Sequence, residues 1–214
     1  MLLAYAGGAT DEAMSLILAT HMVYCETCRA EVSRLEAIGG SLLQDLAPVP
    51  MSGGALQAAL AKLDQMPLEK RASGGAQEAS AKAGATIKSG TPAVLSRYIG
   101  GDLGAVRWRR VSSKLSYLPL FRRGPVSVRL LRGVPGAETG AHRHQGPEYT
   151  LVLKGGFTDV TGSYGPGDLQ MMEGEMRHNP IADPGEDCIN LAVTMGHLKF
   201  EAPLQRIVAP LLGF

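Results

Sequence analysis

Up to about residue 63 the apolar positions recur every three or four residues; after Pro92 they alternate or cluster in short runs. The first pattern predicts helices. Met14, Leu16, Ile17, Leu18 and Met22 form one apolar series. Thr10 is its expected cap, and Asp11 and Glu12 sit in the first turn, where carboxylates suit the helix dipole. A second series, over roughly Glu26–Leu46, sets Val32, Leu35, Ile38, Leu42 and Leu43 near one face, with a kink expected at Gly39–Gly40. Ser52 is the expected cap of a further short helix reaching Leu63. The Leu35, Ile38 and Leu42 face serves as core, as a docking surface, or as both, because a small helical domain buries only part of its apolar surface.

The stretch from Gln65 to Pro92 is Ala, Gly, Ser and Lys with little bulky apolar content. It buries too little surface to offset its ordering entropy, so residues 66–92 are expected to form a flexible linker. Beyond it, VRWRRV, SYLPLF, VSVRLL, YTLVLKGGF and CINLAV read as strands broken by Gly, Pro and Asp turns. Short strands at this spacing predict an all-β sandwich or barrel over residues 93–214.

Net charge is +1 over 214 residues, so bulk electrostatics points to neither nucleic acid nor an anionic membrane as a partner. The apolar run AMSLILATHMV is short and interrupted by His21. It lacks a basic leader and a cleavage site, so neither a signal peptide nor a membrane span is expected. Three cysteines, two of them three residues apart, do not make a disulfide framework, and a reducing cytoplasm fits them better.

The stretch HMVYCETC changes the picture of the helical part. His21 and Cys25 are one turn apart, and Cys28 comes within reach if one helix ends near Cys25 and another starts there. Imidazole and thiolate are the donors tetrahedral Zn²⁺ takes, and such a site would pin two short helices with a small core of their own. The alternatives are a redox pair, or a buried cysteine pair beside a chance histidine. A redox pair of the thioredoxin kind would follow a strand, whereas these surroundings are helical.

The second constellation is GAETGAHRHQGPEYTLVLKG. His142 and His144 are two apart, so on a strand they face the same side, and Glu148 opens the next strand. His178 follows in GPGDLQMMEGEMRHNP. Three imidazoles and one carboxylate converging in a barrel would hold Zn, Mn, Fe or Ni with an open position.

Both constellations carry a resemblance. H-x3-C-x2-C at a helix junction, followed by an amphipathic helix, resembles the zinc-binding anti-sigma domain, and LLAYAGG is similar to its short first helix. That family takes a fourth ligand from a histidine upstream of its first helix, so the resemblance implies a histidine ahead of Met1. Competing sources are Asp11 or Glu12, a water, or no tight site. Gly136, His142, His144, Glu148 and Gly155 match the first motif of the cupin barrel. Gly167–Asp168 and His178 match part of the second, whose usual Pro-x-Gly reads Glu173-Gly174-Glu175 here.

Together the halves resemble the ChrR-type zinc-dependent anti-sigma factors, with EAMSLILATH, AIGGSLL and LQRIVAP as further likenesses. The resemblance implies an α+β chain: a helical zinc-binding anti-sigma domain over residues 1–65, then a single-cupin jelly roll. It implies sequestration of an extracytoplasmic-function sigma factor, with release under singlet oxygen or peroxide. The rival reading is a metal-dependent cupin enzyme such as a dioxygenase.

Other residues have plainer readings. Cys188, in CINLAV, is either a redox-sensitive thiol or a small buried hydrophobe. His197 lies outside both motifs. Glu173 and Glu175 read as a solvated loop near His178, and Arg107, Arg109 and Arg110 as the wet face of an edge strand.

Overall fold

The computed structural model describes residues 1–65, 87–88, 90–174, 176–196 and 198–200. Most of the expected linker, Glu175, His197 and the closing LQRIVAP lie outside the described residues. Four helices come first: α1 (Leu2–Ala6), α2 (Glu12–Tyr24), α3 (Glu26–Gln44) and α4 (Ala55–Asp64). The cap of α2 is Asp11 rather than Thr10. Its carboxylate accepts from the Met14 amide at 2.8 Å, while Thr10 pairs with the Ser15 hydroxyl. α3 runs unbroken through Gly39–Gly40, so the two glycines do not end it. Glycine costs a helix about 1 kcal/mol relative to alanine, which weakens it without ending it. Gly54, in the left-handed region, precedes α4, and Ser52 contributes only its carbonyl, to the Ala55 amide at 3.1 Å.

A two-residue ladder, β1 (Ile87–Lys88) with β2 (Thr91–Pro92), leads into α5 (Ala93–Ile99). The strands that follow are β3 (Arg109–Arg110), β4 (Leu115–Arg123), β5 (Val126–Gly133), β6 (His142–His144), β7 (Glu148–Lys154), β8 (Phe157–Asp159), β9 (Gly162–Tyr164), β10 (Leu169–Met172), β11 (Ile181–Ala182), β12 (Cys188–Met195) and β13 (Leu198–Phe200). A six-stranded antiparallel sheet runs β10-β7-β12-β5-β4-β3. Smaller sheets, β11-β8-β9 and β13-β6, complete a cupin-like sandwich. The register of β4 on β5 slips between Pro119 and Phe121, where Pro119 has no N–H for the ladder. Of VRWRRV only Arg109–Arg110 pairs, at the sheet edge and with both side chains exposed.

The middle strands of the large sheet are buried on both faces. Along β7, Tyr149, Leu151 and Leu153 join the core on one face; Glu148, Thr150 and Val152 point to the other. β12 repeats this, with Ile189, Leu191 and Val193 opposite Cys188, Ala192 and Thr194.

What covers the outer face is α2. Its Met14, Leu16, Ile17 and Leu18 form one core with Val128, Leu130, Leu151, Leu191 and Val193. α2 also touches α1, α3 and α5. A helix that is apolar all round must be buried all round, and SLIL has no polar face to leave in water. Each of these large side chains contributes about 1.5–3 kcal/mol by leaving water. By contrast, α3 beyond Leu35 and the whole of α4 bury no residue.

Candidate metal centres

The junction of α2 and α3 is made by Cys25, which ends one helix and caps the next in an extended conformation. Its Sγ accepts from the Cys28 amide at 3.4 Å. Arg29 closes the end of α2 by donating to the carbonyls of Met22 at 2.5 Å and Val23 at 3.3 Å. This turn brings His21, Cys25 and Cys28 together, with ligand atoms within 4.8 Å of one another. His21 Nε2 lies 3.4 Å from Cys28 Sγ. Zn–N near 2.0 Å and Zn–S near 2.3 Å put tetrahedral ligands roughly 3.5 Å apart, so the pair fits. Burial, and then the hydrogen bond and charge of Cys25, push the Cys28 thiol up. A cation that takes the thiolate form removes that cost.

Asp11 and Glu12 do not reach this cluster. They lie at the other end of α2, where Asp11 caps the helix and Glu12 pairs with Arg123 at 3.2 Å. The other ring nitrogen of His21, Nδ1, donates to the carbonyl of Gly167, on the turn between β9 and β10, at 2.8 Å.

The barrel cluster is fully inside. His142 and His144 project from one face of β6, Glu148 begins β7, and His178 is bridged to His142 through the backbone. The four ligand atoms lie within 4.8 Å of one another. His144 Nε2 is 2.8 Å from His178 Nε2 and 3.2 Å from Glu148 Oε2. Outer partners fix the rings: His142 Nδ1 donates to the Gly140 carbonyl at 2.7 Å, and His178 Nδ1 to Asp159 Oδ2 at 2.7 Å. In the neutral rings the inner nitrogens therefore present lone pairs. His144 Nδ1 is buried with no hydrogen-bond partner among the described residues. Buried nitrogens facing each other and a carboxylate at these distances form a donor set that a divalent cation satisfies.

Electrostatics agrees with that reading. Burial pulls the pKa of His142 down to about 4, against the attraction of Glu148. Burial opposes ionisation of Glu148, but the His144 hydrogen bond and the fields of the three imidazoles outweigh it and hold it at about 2. His142 and Glu148 are thus deprotonated, as metal binding requires. Gly155 closes the far end of β7 at φ +65°, and a Cβ there would stand 2.6 Å from the Asp187 carbonyl oxygen, so the motif position accepts only glycine.

Residues 97–199 match the family described as the ChrR cupin-like domain. The anti-sigma-E factor ChrR of Cereibacter sphaeroides is 39% identical over 210 residues, covering 98% of this chain and 93% of that protein. The chain belongs to the ChrR family of anti-sigma factors. A crystal structure titled Rhodobacter sphaeroides SigE in complex with the anti-sigma ChrR superposes with a TM-score of 0.74 at 38% identity, over 90% of this chain and 94% of that one.

In this ChrR relative, the sequence patterns picked out all seven candidate ligands and the structure gathers them into two groups. Two supports escaped the pattern. Asp159 holds His178 and is itself held by Gln170 Nε2 at 3.0 Å. Burial works against its ionisation, and the bonds from His178, Gln170 and the Val160 amide more than compensate, lowering its pKa. The other is Gly167, behind His21. Asp159 belongs to no ligand motif, and the Gly167–Asp168 motif marks only a turn; the fold alone shows the Gly167 carbonyl behind His21.

Cys188 is buried at the head of β12, and burial raises its pKa to about 11, so the thiol stays protonated. No helix among the described residues is long and apolar enough to cross a membrane.

Proposed function

We propose that this protein is a cytoplasmic anti-sigma factor that sequesters an extracytoplasmic-function sigma factor and releases it under singlet-oxygen or peroxide stress. The observation that carries this reading is the apolar surface left open on α3 and α4. Leu42, Leu43 and Leu46 are 66–69% exposed, and Ile38, Leu56, Leu60 and Leu63 are exposed as well. Seven large apolar side chains left in water along two helices are more than the singly scattered ones normal on a soluble monomer. Membership of the ChrR family and the likeness to a ChrR chain solved with SigE support a sigma factor as its cover.

On this reading residues 1–65 are the clamp, 66–92 the connection and 93–214 the detector. Zn²⁺ at His21, Cys25 and Cys28 sets the angle between α2 and α3. A divalent ion, Zn²⁺ or alternatively Mn, Fe or Ni, sits at His142, His144, Glu148 and His178 and serves sensing. An ion there would supply Lewis acidity and a site for oxidant chemistry; the chain would hold it dry, with His142 and Glu148 deprotonated.

The test is binding of the full chain to an extracytoplasmic-function sigma factor. Leu42→Asp combined with Leu60→Asp should weaken it at least about tenfold, since each buries a charge in an apolar contact. Binding unchanged by the pair would end the proposal. Cys25→Ala should weaken binding as well, whereas His142→Ala should preserve binding and dull release. An iron-loaded chain that consumes O₂ with a small carbon substrate, and binds no sigma factor, would establish the dioxygenase reading instead.

A further inference from the structure

The helical metal site and the barrel meet at one point. His21 Nδ1 is 2.8 Å from the Gly167 carbonyl oxygen, 146 residues away in sequence. A carbonyl only accepts, so Nδ1 carries the proton and, in the neutral ring, Nε2 presents its lone pair beside Cys28. Gly167 is built for this approach. Its φ is +93°, and a Cβ on it would stand 2.6 Å from the Cβ of Tyr24. The Gly167 amide is tied to Val152 of β7 at 2.8 Å, and the Tyr24 hydroxyl reaches the Leu153 carbonyl at 3.5 Å.

We propose that the Gly167 carbonyl is the outer support of the His21 ligand, so that metal binding at His21, Cys25 and Cys28 and seating of the barrel on α2 strengthen each other. The inference rests on the reading of those three residues as metal ligands. Outer partners that orient a metal-bound histidine govern its affinity by about 10–100-fold. Linkage makes the effect reciprocal: what the barrel adds to metal affinity, the metal adds to barrel seating. The helical site thereby becomes a gauge of where the barrel sits.

Cobalt(II) separates the two centres, because the helical site alone has thiolate ligands and so alone gives a sulfur-to-cobalt charge-transfer band. Titration of the full chain, with a competing chelator, reads its affinity. Gly167→Ala should weaken the thiolate-site cobalt affinity about 10–100-fold. Arg123→Ala removes an exposed ion pair with Glu12 at the opposite end of α2 and should leave that affinity unchanged. An unchanged Gly167→Ala, or an Arg123→Ala loss of equal size, overturns the proposal. No charge-transfer band in the unaltered chain would instead remove the metal reading of the three residues, and the proposal with it. Should Gly167→Ala fail to fold, hydrogen exchange decides. With the barrel ion present, Cys28→Ala should speed exchange at residues 165–168 relative to the unaltered chain; equal rates overturn the linkage.

Discussion

The two candidate metal centres would solve the same problem from opposite directions. The barrel cluster has four ligands, all buried, each placed by a strand or a bridge of the sandwich. The helical cluster has three half-buried ligands on one helix junction, and its outer support comes from a distant part of the chain. On the proposed reading the first is preorganised by the fold, and the second helps organise it. A rigid site can keep its ion while its surroundings change. A site made of a helix junction and a borrowed carbonyl cannot.

Deleting a barrel ligand should have the largest effect on this contrast. His144→Ala should abolish the barrel ion and leave the thiolate-cobalt band intact; metal analysis per chain, read beside the band, checks it. Loss of both together would mean the centres are one cooperative unit.

Acid comes next. In the metal-free chain His142 has its pKa near 4, below the ordinary 6.5 of the unfolded state. Between those values the unfolded chain binds more protons. Stability should therefore fall as pH drops from 6.5 toward 4, by up to about 3 kcal/mol from this group. Denaturant melts at pH 7 and pH 4.5 on chelated protein test the sign, and greater stability at the lower pH would contradict it.

Asp159→Asn should be smaller again. It removes the charge behind His178, weakening the barrel ion about 10–100-fold without moving the thiolate site. Smallest of all, Cys188→Ala should cost roughly 1 kcal/mol of packing and leave both metal contents unchanged. A lost ion in that variant would give the buried thiol a part the geometry does not show.

The sequence revealed the ligands more readily than their supports. H-x3-C-x2-C and H-x-H-x3-E are short-range patterns: periodicity pairs His21 with Cys25 and His142 with His144, and a helix junction or a turn brings in Cys28 and Glu148. Asp159 and Gly167 act across the fold: no local spacing marks Asp159, and the Gly-Asp motif marks Gly167 only as a turn. The helices show the same division. Apolar recurrence located α2 and α3, but a helix cannot announce that its partner lies more than a hundred residues away. The cap of α2 slipped by one residue because Thr10 and Asp11 are both good caps, and the carboxylate also answers the dipole. At Gly39–Gly40 and Ser52 local propensity was overruled, once by helix continuity and once by a left-handed Gly54.

The double duty of α2 bears on how the protein can be taken apart. A fragment ending at Asp64 would keep the clamp but strip the sheet from Leu16, Ile17 and Leu18, leaving a bare stripe on its central helix. Expressed alone, such a fragment should clump or cling to chaperones, and the severed barrel should fare no better with Val128, Leu151 and Leu191 uncovered. Dissection of this molecule therefore belongs to point substitutions in the whole chain.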